Sequence, residues 1–207
     1  MNTGQGRNIL FSGVGGQGVL LISELVARTA IRAGFDAKKT EVHGAAQRGG
    51  SVVSHVRYAP KVYSPLIPAG EADILVSLEK LEGLRWAHYV RAGGTITLNT
   101  EERVPASIDG KPVEYPKEIA PFLAGKGFIV RSIDAQAIAI ELGNYRAANI
   151  VLLGTIADET GIHKDAWTDT MKATLPSRFI DLNLAAFERG MEAAAGPVPA
   201  RGAGATR

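Results

Sequence analysis

The sequence predicts a single α/β domain, a mostly parallel sheet with helices on both faces, and three observations lead there. Short apolar runs alternate with amphipathic stretches along most of the chain. Glycines mark the changes from one to the other. A glycine cluster falls directly between the first apolar run and the first amphipathic stretch, where a strand would turn into a helix. With 207 residues there is room for one such domain and little more. Hydrophobic residues at 45% and charged residues at 21% supply a core and argue against a disordered chain.

Asn8 to Ser12 (NILFS) reads as a buried parallel strand. From Gln17 to Ala33 the period is helical: Glu24, Arg28 and Arg32 share one solvated stripe while Val19, Ile22 and Val26 face inward. Gly34 stops that helix, and Lys38 to Val42 and Ser51 to Tyr58 read as strands. After a connection carrying Pro60, Pro65 and Pro68, the strand Asp73–Leu78, the helix Glu82–Val90 and the strand Thr95–Asn99 repeat the alternation. Val104 to Tyr115 is predicted as a hairpin around Asp109-Gly110. Gly127–Ser132 is predicted as a strand and Asp134–Leu142 as a helix, followed by a long apolar helix over Ala147–Thr160. Two further helices, about Lys164–Leu175 and Arg178–Ala195, complete a domain expected over residues 8–195. A flexible start (1–7) and a disordered Pro/Gly/Ala-rich tail (196–207) flank it.

Composition removes several kinds of chemistry. The chain has no cysteine, so it offers no disulfide, no thiol nucleophile, no cysteine zinc site and no thiolate for an iron–sulfur cluster. A formal charge of +2 gives no footprint for nucleic acid or a membrane surface. No apolar run approaches ~18 residues, and no cleavage signal opens the chain, so a cytoplasmic location is expected.

Two segments carry candidate chemistry. Gly13-Val-Gly15-Gly16-Gln17-Gly18 fits GxGxxG between a strand and a helix, the Rossmann-like arrangement. Glycines there allow a sharp turn and close backbone approach, and the first helix amides and the helix dipole favour a phosphate. The alternative is that the glycines serve only close strand–helix packing. For a nicotinamide dinucleotide an acid should stand at the end of the second strand; Asp36 and Glu41 are in range, but Asp36 opens that strand and Glu41 runs into a basic loop.

The second segment is Glu41-Val-His43-Gly-Ala-Ala-Gln47-Arg48-Gly49-Gly50-Ser51, which gathers acid, imidazole, carboxamide, guanidinium and hydroxyl within eleven residues. Arg48 could clamp a phosphate or carboxylate, and Gly49-Gly50 would let amides approach the same anion. Equally, the segment reads as a surface loop whose charges pair with one another. His55 reads as a packed histidine within its strand. His88 and His163 are isolated and make no metal spacing. Trp86 and Trp167 read as core or interface anchors, and Asn144, Arg146 and Asn149 as helix capping.

Taken together, NILFSGVGGQGVLL, TEVHGAAQRGGSVVSHVRY, DILVSLEKLEGLR and NYRAANIVLLGTIA, spanning about Asn8 to Ala157, resemble the gamma-type subunits of the 2-oxoacid:ferredoxin oxidoreductases. Within that family the similarity is strongest to the small subunits of the indolepyruvate branch. The resemblance implies an oxidative decarboxylation in which a 2-oxoacid and coenzyme A give an acyl-CoA, carbon dioxide and reduced ferredoxin. It also implies a large alpha subunit as partner, carrying thiamine diphosphate, magnesium and the iron–sulfur clusters, because the Gly-Asp-Gly signature of thiamine sites and all thiolates are missing from this chain. Ferredoxin would then meet this chain only indirectly.

On that resemblance the chain would not be active alone. Its cofactor-binding residues would be Gly13, Gly15, Gly16, Gln17, Gly18, Glu41, Gln47, Arg48, Gly49, Gly50 and Ser51, in a pocket for the phosphate-rich end of coenzyme A. His43 and Arg48 have a competing use, closing the partner's active site. Two other readings of the residues are a stand-alone NAD(P)-dependent oxidoreductase and a non-catalytic nucleotide-binding module.

Overall fold

The first apolar run becomes strand β1 (Arg7–Val14), whose side chains alternate between two cores. Ile9 and Phe11 face one, Leu10 the other, as a strand's period of two requires. A computed structural model describes the backbone of residues 5–43, 50–103 and 114–196, and their side chains other than that of His43. The hairpin expected around Asp109-Gly110 and the tail beyond Gly196 lie outside the described residues, as do residues 1–4; Arg7, placed by the sequence reading in the flexible start, already belongs to β1.

After β1 come helix α1 (Val19–Arg32), β2 (Asp36–His43), β3 (Ser51–Ala59) and β4 (Ala72–Ser77). Then follow α2 (Lys80–Trp86), β5 (Val90–Asn99), α3 (Ile119–Gly125), β6 (Ile129–Ile133) and α4 (Ala135–Glu141). The chain closes with α5 (Ala148–Gly154), α6 (Lys164–Thr174) and α7 (Ile180–Ala195). One sheet of order β2-β3-β1-β4-β5-β6 holds all six strands. β1, β4, β5 and β6 run parallel, while β3 lies antiparallel to both β1 and β2.

The mostly parallel sheet therefore carries an antiparallel hairpin at one edge. The short return between β2 and β3 leaves no room for a crossover helix, which parallel pairing needs. Helices cover both faces. α1, α4, α5, α6 and α7 enclose the larger core around Ile22, Ile150, Trp167 and Phe187. α2 and α3 enclose the smaller one around Leu75, Ile96 and Leu123. Trp167 is fully buried, as a core anchor should be.

Three helices differ from the expectation, one of them α3 (Ile119–Gly125), where no helix is expected from the sequence. The helix expected over Glu82–Val90 starts earlier, because the Glu79 side chain accepts the Glu82 amide at 2.8 Å and caps it. It ends at Trp86, and after a 3₁₀ turn over Ala87–Tyr89 the chain is already in β5 at Val90. The helix expected over Ala147–Thr160 is continuous only from Ala148 to Gly154. Beyond it the chain tightens into turns, with the Thr155 and Thr160 hydroxyls donating to the carbonyls of Leu152 and Ala157.

The reason for Gly154 is packing: a Cβ there would collide with the Phe187 carbonyl of α7, and one on Gly190 with the Val151 carbonyl of α5. These two glycines let α5 and α7 cross backbone to backbone.

Candidate functional site

From β1 the chain returns along α1 towards β2 on one side, and from β4 along α2 towards β5 on the other. The carboxyl ends of β1 and β4 are thus where the sheet reverses its winding, and a crevice opens there. Gly13 to Gly18 form its rim. Gln17 N donates to Val14 O at 3.1 Å, closing a tight turn through Gly15 and Gly16, and Gly16 sits at φ 100°. Gly18 is the N-cap of α1 at φ 91°, with no side chain to cap the helix and no acidic residue in the first turn. Among the described residues the amides of Gly18, Val19 and Leu20 have no acceptor, so the positive end of a 14-residue helix opens outward.

Each glycine has its own cause. A Cβ on Gly13 would meet Gln17 Oε1 at 2.9 Å, because the Gln17 side chain folds back across it. A Cβ on Gly18 would fall on Asn149 Nδ2. Asn149, at the start of α5, is 7% exposed, and its carboxamide has no hydrogen-bond partner among the described residues. Asn144 does cap as expected, its Oδ1 accepting from Arg146 N at 3.1 Å. Asn149 caps nothing; it lines the crevice.

Two clefts flank the turn. One, of about 450 Å³, is mainly apolar and lined by Val14, Gly15, Val19, Leu20, Leu21 and Val52. The other, of about 460 Å³, is polar, and Gln17, Asn99, Glu101, Arg103, Arg146 and Asn149 line it beside Gly16 and Gly18. Arg146 and Arg103 are exposed, each with one Nε bond, to Tyr145 Oη at 3.3 Å and to Glu101 Oε1 at 2.7 Å. Two guanidinium groups and an uncapped helix end make this cleft suited to an anion. Except for Arg146 and Asn149, read as capping, the polar cleft's residues outside the glycine turn escaped the sequence reading. Asn99 ends β5, Glu101 and Arg103 lie just past it and Gln136 stands at the start of α4, and no local spacing joins them.

The second segment is only partly within the described residues. Residues 44–49, Gln47, Arg48 and Gly49 among them, lie outside, as does the His43 side chain. Its end is anchored: Gly15 N donates to Gly50 O at 2.9 Å, so the segment returns against the glycine turn. Ser51 Oγ donates to the buried Glu82 carboxylate, which also accepts from Trp86 Nε1 at 3.2 Å. Glu41 is engaged by Lys39 Nζ at 2.7 Å, which also pairs with Glu24 at 3.1 Å. Because β3 separates β2 from β1, Glu41 does not stand on the strand next to the glycine turn, where a dinucleotide's ribose would be met.

His55 is packed as expected, its Nδ1 accepting from Ile67 N at 3.2 Å, and burial holds its ring below the usual histidine range. The Tyr115 hydroxyl is pushed well above the ordinary range, first by burial and then by Glu79, to which it donates at 2.5 Å. No group of three or more potential metal ligands occurs among the described residues.

A doubly wound sheet with a glycine turn at its reversal point is the Rossmann-like class of α/β fold. The chain belongs to the pyruvate ferredoxin/flavodoxin oxidoreductase family, whose model matches residues 8–193. Indolepyruvate oxidoreductase subunit IorB of Thermococcus kodakarensis is 35% identical over 194 residues, covering 90% of this chain and 95% of the relative. The gamma subunit of a keto/oxoacid ferredoxin oxidoreductase from Geobacter sulfurreducens shares the fold at TM-score 0.70 and 24% identity, over 92% of this chain and 99% of that one.

A 2-oxoglutarate:ferredoxin oxidoreductase from Magnetococcus marinus, solved with 2-oxoglutarate, coenzyme A and succinyl-CoA bound, shares the fold at TM-score 0.75 and 20% identity. There the match covers 95% of this chain and 32% of the longer one. The chain is a small subunit of the 2-oxoacid:ferredoxin oxidoreductases, and works as part of a multi-subunit oxidoreductase.

Proposed function

We propose that this subunit holds the phosphate-bearing end of coenzyme A for an oxidoreductase that oxidatively decarboxylates an indolepyruvate-like 2-oxoacid. The observation that carries the reading is the uncapped start of α1 between the two clefts, Gly18 lining the one that holds Arg103, Arg146 and the unpartnered Asn149 carboxamide, and Val19 and Leu20 the apolar one beside it. Diphosphate oxygens would take the free amides of Gly18, Val19 and Leu20, and the guanidinium groups would balance their charge. The apolar cleft on the other side of the turn suits a less polar portion of the same ligand. Coenzyme A supplies the thiol that receives the acyl group; this chain binds and orients it.

Thiamine diphosphate, magnesium and the iron–sulfur clusters belong, on this reading, to a large alpha subunit, since a chain without cysteine has no thiolate to give a cluster. Ferredoxin would be reduced there, and the complex would be cytoplasmic. The substrate class follows from the similarity to the indolepyruvate relatives. A stand-alone nicotinamide enzyme is disfavoured by the position of β2 and by the Lys39–Glu41 pair.

The test uses the complex assembled with its large subunit. Arg146→Ala and Asn149→Ala should raise the KM for coenzyme A while KM for the 2-oxoacid and assembly stay as they were. Unchanged coenzyme A kinetics in both variants would reject the reading, as would saturable NAD(H) binding at the same cleft. A second reading, docking of the glycine-turn end against the large subunit, is favoured by the exposed Leu20, Leu21 and Val42 beside it. Arg48→Ala separates the two: loss of assembly supports docking, and a selective rise in KM for coenzyme A supports the pocket.

A further inference from the structure

We propose that Glu101 is a positioning residue, whose carboxylate fixes the Gln17 carboxamide and, through it, the glycine turn that presents the α1 amides. The proposal rests on the coenzyme reading above for what those amides bind.

Glu101 stands just past β5, 84 positions along the chain from Gln17, yet its Oε2 accepts from Gln17 Nε2 at 2.9 Å. The same oxygen accepts from Gln136 Nε2 at 2.7 Å, and Oε1 accepts from Arg103 Nε at 2.7 Å. Gln17 Nε2 also donates to Leu78 O at 3.0 Å. Two acceptors therefore face the nitrogen end of the Gln17 side chain. Its oxygen end is left to accept from Val14 N at 2.7 Å. Turned the other way, Gln17 would set its oxygen against a carboxylate and a carbonyl, and its NH₂ against the Val14 amide, losing all three bonds.

The sense of that amide decides the shape of the turn. Gln17 Oε1 lies over Gly13 and holds the Val14 amide, while the Gln17 backbone closes the turn onto Val14 O. The amides of Gly18, Val19 and Leu20 follow at once. Glu101 is itself held: Asn99 bridges Gln136 Oε1 at 2.9 Å and Leu78 O at 3.0 Å, and accepts from Ala135 N at 3.2 Å. The turn is therefore braced from β5 and α4, elements that do not form its backbone, which is how a binding loop is preorganised.

A carboxylate next to an anion cleft would repel the ligand, and its pairing with Arg103 offsets that. Glutamine in its place would offer one acceptor oxygen where two are used, and a donor where an N–H already points.

The experiment compares coenzyme A kinetics and backbone hydrogen exchange in the assembled complex, the exchange measured without ligand. Glu101→Gln should raise the KM for coenzyme A about tenfold, the loss expected for a hydrogen bond to a charged group, with kcat changed less than about twofold. Exchange at Val14 and across the turn should quicken in the same variant. Gln17→Glu apposes two carboxylates and should do more harm; combined with Glu101→Gln it should shed only the harm that apposition adds, because a carboxylate at 17 still faces Leu78 O.

Unchanged exchange and unchanged KM in Glu101→Gln would overturn the proposal, and so would a raised KM with unchanged exchange, which would mean direct contact with the ligand. A double variant as impaired as Gln17→Glu alone in both readouts would overturn it as well. Faster exchange with an unchanged KM would uphold the hold on the turn and reject the coenzyme reading instead.

Discussion

Asn149 Nδ2 occupies the place where a side chain on Gly18 would begin, so the N-cap of α1 and the first turn of α5 are fitted to each other. Residues 131 positions apart thus share one wall of the crevice. The glycine is required twice, by this contact and by its φ of 91°.

Gly18→Ala should consequently lose about 1–3 kcal/mol of stability from the left-handed backbone alone. Asn149→Ala in the same chain should recover only the part due to collision. Denaturant midpoints of the two single variants and the double variant measure this; full recovery would show that the backbone angle carries no cost.

The crossing of α5 and α7 predicts a second effect. Gly154→Ala and Gly190→Ala each drive a methyl into a facing carbonyl, and each should cost about 1–3 kcal/mol. Because a single separation of the two helices relieves both collisions, the pair should cost less than the sum of the two. Thermal unfolding of the three variants decides it, and strict additivity would refute the shared crossing.

Stability should depend on pH through His55. It is 2% exposed, and burial lowers its pKa below the ordinary 6.5. The unfolded chain then takes up the proton first, so His55 contributes its full stability above about pH 6.5 and loses it as the pH falls below that value towards the folded pKa. The decline in denaturant midpoint between about pH 7 and pH 5 should be shallower in His55→Gln. Parallel slopes in the two proteins would contradict the assignment.

Glu82 should anchor the end of the 44–50 segment. Its carboxylate, 5% exposed, accepts from Ser51 Oγ and Trp86 Nε1, and Arg85 Nε lies 3.3 Å away. Glu82→Leu would strand the Ser51 hydroxyl and leave Trp86 Nε1 only its 3.3 Å bond to Ser51 Oγ, and should cost about 1–3 kcal/mol, whereas Trp86→Phe, which removes one donor, should cost about 1 kcal/mol. Urea unfolding followed by circular dichroism tests the order; an equal or reversed ranking would count against it.

Much of the fold was legible along the chain because its signals are local. The apolar runs around Ile9, Ile74 and Ile96 gave strands, and the Glu24–Arg28–Arg32 stripe gave α1. The glycine turn was legible too, since a left-handed backbone at Gly16 and Gly18 leaves a mark in residue type. Element ends were less so. The early start of α2 depends on Glu79, held by Tyr115, reaching the Glu82 amide, and the turns after α5 on the Thr155 and Thr160 hydroxyls bonding back to carbonyls.

What the sequence determined by itself was the class of fold, the family, the place of the glycine turn and the lack of any thiolate on this chain. Only the tertiary structure decided which side chains surround that turn. Glu101, Gln136, Asn149 and Arg146 come from separate elements and meet where β1 and β4 diverge. Spacing along the chain records periodicity within an element, whereas these contacts arise from the order in which strands assemble in the sheet. The same assembly order put β3 beside β1 and moved Glu41 to an edge strand, out of the position its distance from the glycines suggested.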